Sequence, residues 1–271
     1  MRIRPPAVAG MFYEAEPGRL RRQVESCFAA AAAPAARREI IAAVVPHAGL
    51  MYSGAVAACA YAAAEIPRRV ILLGPNHTGR GHTAAIESSG AWRTPMGDVP
   101  IDEELAAALK SAAPVLEEDH RAHDREHSLE VQLPLLQAIR EDFSFVPICL
   151  SVPTLERCEE IGRAIASVVL ASEEPIAILA SSDFNHYESQ QITLRKDLEA
   201  IEPILALDSG ALWRTVRDGD ISMCGSIPTT TMLAAARELG ATEGTLLRHA
   251  TSGDVSGDYA AVVGYAAILI T

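Results

Sequence analysis

Long apolar runs, basic charge and paired cysteines are all in short supply in this chain of 271 residues, and each shortage excludes a class of protein. No apolar run approaches the ~20 residues that a membrane span requires. The opening stretch, MRIRPPAVAGMFYEAEPGR, has prolines and acids where a signal peptide needs an unbroken apolar segment. A cytoplasmic location without membrane association is therefore expected. Lys and Arg number 23 against 35 Asp and Glu, a formal net charge of −12. Nucleic-acid binding depends on basic side chains neutralising phosphates, so neither DNA nor RNA is expected as a partner. The five cysteines, Cys27, Cys59, Cys149, Cys158 and Cys224, are scattered and lack CxxC spacing, which suggests neither a disulfide framework nor a thiolate zinc knuckle. Linkers, internal repeats and abrupt composition changes are also missing, so residues 1–271 are read as one domain.

What the chain has is material for a large core, 49% hydrophobic residues against 21% charged. β-Branched apolar runs alternate with amphipathic stretches, the pattern of an α/β fold. Strands are predicted at 40–46, 69–74, 83–88, 143–151, 175–181, 245–250 and 259–270. Several lack polar alternation and should be covered on both faces. Leu155, Cys158, Ile161, Ile165 and Val168 recur at helical spacing, as do Leu194, Leu198, Ile201 and Leu205. SGAVAACAYAAAE predicts a helix of small residues lying close to the strands, and Cys59, Cys149 and Cys158 read as small buried hydrophobes. The Ala-rich FAAAAAPAARRE at 28–39 predicts a helix end and an exposed connector. The architecture expected is a central mixed, mostly parallel sheet with helices on both faces.

In such sheets ligands bind beyond the carboxyl ends of the strands, where exposed loops have rigid roots. AAVVPHAG delivers His47 after one strand, VILLGPNHTG delivers His77 after the next, and IAILASSDFNHY delivers Asp183 and His186 after a third. A single histidine there is an ordinary turn residue; the repetition points to a site. Pro46, Gly49, Gly74 and Pro75 would set tight, rigid turns around them. In SMCGSIPTT, Cys224 precedes a helix whose start is marked by Ser226 and Pro228 and whose end is marked by Gly240. The helix N-terminus is expected to lower the thiol pKa and favour the thiolate, which is a metal ligand and a nucleophile. The alternative is a small buried residue in a tight turn.

DHRAHDREHSLEVQLP crowds His120, His123 and His127 among four acids. His120 and His123 read as part of a solvated loop. EHSLEVQLPLL reads as a helix start with Leu129, Leu133 and Leu136 inward, so that His127 and Glu130 share a face and point at a site or at each other. Tyr52, in the His47 loop, Trp92, before the TPMGD turn, and His127 are expected to wall the pocket, with Trp92 as the anchor of a surface hairpin as the alternative. The acidic loop TSGDVSGD, with Asp254 and Asp258, is assigned no chemistry.

RPPAVAGMFY, VVPHAGLMYSG, LLGPNHTG, WRTPMGDVPID, EHSLEVQLP, SSDFNHY, MCGSIPTT and VVGYAA together resemble the Memo family, called AmmeMemoRadiSam system protein B in prokaryotes, along nearly the whole chain. That family is similar in fold to the class III extradiol dioxygenases, which hold non-haem Fe(II) with two His and one Glu. The resemblance implies His47 and His77 as histidine ligands, Cys224 at the third-ligand position, and His186 with Asp183 as the polar pair that serves as acid and base. It also implies association with a radical SAM system partner. A thiolate in place of a carboxylate is softer, can be oxidised, and suits copper or zinc as well as iron. Fe(II) is the first cofactor expected, with Cu, Zn or no metal in the isolated protein as the others.

Three functions remain open on the sequence. One is a metal-dependent redox enzyme acting on an unidentified small molecule through the open positions of the ion. Another is a binding module that holds a peptide or small ligand in the same pocket. The third is a metal-free thiol hydrolase with Cys224 as nucleophile, His186 as base and Asp183 as orienter.

Overall fold

The computed structural model describes residues 2–31 and 36–271. Four parallel strands form the middle of a nine-stranded sheet, in the spatial order Ala42–Val45, Ile176–Ser181, Arg69–Pro75 and Ser144–Leu150. Val262–Ile270 lies antiparallel against Ala42–Val45, with Gly244–Thr251 and the short His186–Glu188 paired to it. On the other flank Ala84–Ile86 runs antiparallel to Ser144–Leu150, followed by Glu117–Glu118. The strands predicted from sequence are all present, with ends shifted by a few residues.

The missing polar alternation has a direct cause, since both faces of the sheet are buried. Ile71 and Leu73 enter one core layer, while Val70 and Leu72 enter the other. The helices Glu103–Ala112, Leu155–Ala171, Gln190–Leu205, Ser209–Asp218 and Ser226–Glu238 cover the first face. Pro17–Ala30, Leu50–Ala63 and Gln132–Ile139 cover the second. Where Leu155–Ala171 crosses Ser226–Glu238, Gly162 allows contact: a Cβ there would come within 2.7 Å of the Thr231 carbonyl and the Ala234 methyl. Among the described residues no helix is long and apolar enough to cross a membrane.

One local prediction needs correction. The helix predicted from His127 begins at Gln132, and residues 128–131 form turns. Glu126 takes the amide hydrogens of His127 and Ser128, and Pro134, which has no N–H to give, is confined to the first helical turn. WRTPMGDVPID is a hairpin, Ala91–Thr94 with Gly97–Pro100, joined by Ile3–Arg4 in a small separate sheet. In the Ala-rich segment the helix ends at Ala30, and the 32–35 part of the predicted connector lies outside the described residues.

Candidate metal centre

The sheet order places the strand ending at Ser181 between the strands that lead to His47 and His77. Neighbouring strands are about 4.8 Å apart, so the two histidines are rooted on either side of Ser181 and lean toward each other. Their ring centroids are 5.2 Å apart at 78°. Cys224 arrives from the loop before Ser226–Glu238. Gly225 lets that loop lie flat on the strand end, because a Cβ there would collide with the Ser182 side chain and the Ser181 carbonyl, and its amide donates to Ser182 Oγ at 3.1 Å. Cys224 Sγ consequently lies 3.2 Å from His47 Nε2. One donor atom from each of His47, His77 and Cys224 falls within 4.8 Å of the others.

The hydrogen bonds around His47 fix its tautomer. Gln132 Nε2 donates to the Pro46 carbonyl at 2.9 Å and to Ser181 Oγ at 2.8 Å. The single proton of Ser181 goes to the Ser128 carbonyl at 2.7 Å, since a carbonyl can only accept. Ser181 Oγ must then accept from His47 Nδ1, 2.9 Å away. Nδ1 carries the hydrogen, and the lone pair of His47 is on Nε2, facing Cys224.

His77 is fixed in the same sense by a carboxylate. Glu126, wholly buried, accepts from His77 Nδ1 at 2.8 Å and from the His77 amide at 2.6 Å. Burial works against its charge, but the His77 hydrogen bond and the neighbouring amides outweigh it and hold the carboxyl at about 2. His77 Nδ1 is thus committed to Glu126, which leaves Nε2 as the nitrogen available to a ligand. Burial pushes the His47 pKa well down and that of His127 down to about 4, so both rings are neutral at pH 7. His127 stacks on His77 with centroids 4.5 Å apart and carries Phe12 on its outer side at 4.6 Å.

Residues 4–269 match the family described as Memo-like protein. The chain belongs to the Memo family. The MEMO1 family protein of Methanopyrus kandleri is 46% identical over 277 residues, with 98% of each chain covered. That of Pyrobaculum aerophilum is 45% identical over 278 residues, with 99% of each covered. That of Methanosarcina barkeri is 42% identical over 269 residues, covering 99% of this chain and 100% of the relative. An uncharacterized protein from Escherichia coli K12 has a solved structure with the same fold, at a TM-score of 0.58 and 12% identity over 85% of this chain and 99% of its own.

In this Memo protein, several residues named from the sequence take unexpected places. Burial and the nearby Asp183 carboxylate push the Cys224 thiol pKa well up, reversing the lowering expected from the helix N-terminus. The reversal follows from Cys224 being tucked beneath the strand ends, where desolvation outweighs the amide donors. Asp183 does not orient His186: its Oδ1 accepts the amides of His47, at 2.8 Å, and Ala48, at 3.3 Å. Burial raises its pKa to about 6. Ser222 holds His186 instead, with its hydroxyl accepting the His186 amide at 2.7 Å and its carbonyl accepting from Nδ1 at 2.8 Å. Cys224, His186 and Asp183 therefore form no hydrogen-bonded nucleophile, base and orienter relay.

The cleft above the three donors has a volume of about 540 Å³, and Tyr52, His127, Asp183 and His186 line it. Trp92 and Glu130 do not. The Trp92 ring is fully buried in the small hairpin sheet, with the Arg4 guanidinium 4.1 Å over its face and Phe145 and His123 at its edges. Glu130 is buried under the N-terminal segment, pairing with Arg4 and accepting from the Ala7 and Val8 amides and the Tyr13 hydroxyl. His123 is likewise interior, beside Trp92 and Cys149. Asp254 caps the Thr251 amide, while Asp258 reaches the cleft. Glu126, Ser181 and Gln132 were the residues that sequence reasoning did not single out for orienting the histidines. The one signal for them is position: Glu126 adjoins His127, and Ser181 ends the strand before Asp183.

Proposed function

We propose that this Memo protein is a metal-dependent redox protein whose ion is held by His47 Nε2, His77 Nε2 and Cys224 Sγ. Fe(II) is the first candidate, with Cu and Zn next. The observation that carries this is the orientation of two imidazoles. Each has its Nδ1 committed to a fixed partner, which leaves Nε2 to face a ligand, and one donor atom of each ring converges with the Cys224 sulfur. Imidazole and thiolate donors suit iron, copper or zinc and are poor company for magnesium or calcium. A bound ion would supply Lewis acidity and, if iron or copper, one-electron chemistry.

The chain's own residues divide the remaining work. Ser181 and Glu126 keep the ligand rings in one tautomer and orientation. Asp183 holds the His47 loop through two backbone amides. His186, with Nδ1 committed to Ser222, presents Nε2 to the cleft and would take or give a proton there. Tyr52 and Phe12 restrict entry, and the substrate is a small molecule that fits between them. The thiol hydrolase is disfavoured, since the polar neighbour of Cys224 is His47 and burial keeps its thiol protonated.

Anaerobic loading with Fe(II) followed by elemental analysis tests the proposal. Cys224→Ser and His47→Ala should each lose stoichiometric metal while keeping the fold, and His186→Ala should retain it. Unchanged metal in both ligand variants would overturn the ligand set. Loss in His47→Ala alone would leave Cys224 as a neighbouring reactive thiol.

A further inference from the structure

The cleft has a charge pattern that metal binding does not use. Its wall includes Phe12, Tyr52, Tyr187 and Tyr265 together with two carboxylates, Asp183 and Asp258, and no Lys or Arg. Several acids elsewhere on the chain have guanidinium partners: Asp102 has Arg69, Asp98 has Arg93 and Glu130 has Arg4. The two cleft acids hydrogen-bond to backbone amides and have no Lys or Arg partner among the described residues. Asp183 is 5% exposed and sits in the floor, while Asp258 stands exposed at the mouth. Carboxylates without a Lys or Arg partner in a hollow walled by ring faces favour a cation on both counts, through the field of the acids and through the quadrupoles of the rings.

Tyr187 adds an independent indication. Its backbone is left-handed, with φ 61°, a conformation that bulky side chains rarely adopt. The residue is 79% exposed, so little packing offsets the strain. Ser222 clamps the preceding His186 and fixes Tyr187 in this pose at the lip of the cleft. Strain of this kind persists where surrounding structure imposes it, and it gathers at ligand clamps. The cleft volume, about 540 Å³, takes a one-ring molecule with a short side chain.

We propose that the cleft binds an aromatic amine as its ammonium ion, with the charge directed to Asp258 and the ring among Phe12, Tyr52 and Tyr187, and that it discriminates against carboxylates and phosphates on the same skeleton. The proposal stands on the cleft wall and not on the ion, so it and the metal assignment fail separately.

Calorimetric titration of metal-stripped protein at low salt tests it with three probes of one skeleton: tyramine, its alcohol tyrosol, and 4-hydroxyphenylacetate. Tyramine should bind about tenfold more tightly than tyrosol, and the carboxylate should bind most weakly. Asp258→Asn should remove most of the advantage of tyramine and leave tyrosol unchanged, while Tyr187→Ala should weaken both. Metal content of the same preparations before stripping reports separately on the ion. Equal binding of carboxylate and amine, no binding of any probe, or an Asp258→Asn protein with the full preference for tyramine would overturn the proposal.

Discussion

Cys224 Sγ and His47 Nε2 lie 3.2 Å apart across a sequence separation of 177 residues. In the absence of an ion the thiol keeps its proton, because burial and Asp183 push its pKa well up, and that proton points to the lone pair of His47. A divalent ion held as proposed would have to displace it, since a thiolate and not a thiol ligates metal. Metal uptake at pH 7 should therefore release about one proton per ion, measurable with an indicator dye in weak buffer. Cys224→Ser should abolish the release, and metal binding by wild type without proton release would count against sulfur ligation.

Ser181 is the part of the His47 environment that sets which nitrogen is free. In Ser181→Ala, Nδ1 loses its acceptor and the Nε2–H tautomer should become populated, as read from imidazole ¹⁵N shifts in the metal-free protein. Metal affinity should fall by roughly 10- to 100-fold. Unchanged shifts would show that the ring is held by something other than this hydroxyl.

Arg4 and Glu130 are both fully buried and 2.5 Å apart. Removing one partner leaves the other charge unpaired in the core, so Glu130→Leu should cost about 3–5 kcal/mol in urea unfolding. Arg4→Met combined with Glu130→Leu should recover part of that loss. Because Glu130 also binds the Ala7 and Val8 amides, the single variant should loosen the segment that brings Phe12 onto His127. Faster hydrogen exchange across residues 7–13 would report it.

Acid sensitivity should begin above the carboxylate range. Burial lowers the His123 pKa to about 3 and that of His127 to about 4, against an ordinary value of 6.5. The unfolded chain takes up protons that the folded chain refuses, so stability is complete above pH 6.5 and is lost as the pH falls toward the folded values. Each ring contributes a slope of about 1.4 kcal/mol per pH unit in that interval. Glu126, lowered from 4.5 to about 2, adds its own loss only below pH 4.5. His123→Leu should flatten the stability curve between pH 6 and 4.5 by one proton's worth, and an unchanged slope would place the titration elsewhere.

The strand ends bearing His47, His77 and Asp183 are legible in the sequence because a β-branched run followed by Pro, Gly and His states both where the strand stops and what it carries. Cys224 is legible as a residue at a helix start, but its protonation is not, since desolvation comes from strands far away in the chain. Trp92 illustrates the same limit. A tryptophan before a Pro and Gly turn looks alike whether it faces a cleft or a core, and the Arg4 guanidinium over its ring decides for the core. Ser181 and Gln132 are ordinary polar residues until a proton count through Ser128, Pro46 and His47 gives them a task.

The sheet order carries a consequence for how the protein is made. Val262–Ile270, near the end of the chain, pairs beside Ala42–Val45, near the beginning, and the thiol of Cys224 meets an imidazole that left the ribosome long before it. A nascent chain thus displays its two histidines while the sulfur and the flanking strand are still to be translated. The three-donor nest becomes complete only after Cys224 is translated, so the ion proposed for it would be captured well after both histidines have emerged, and chains truncated before Cys224 would lack the sulfur donor.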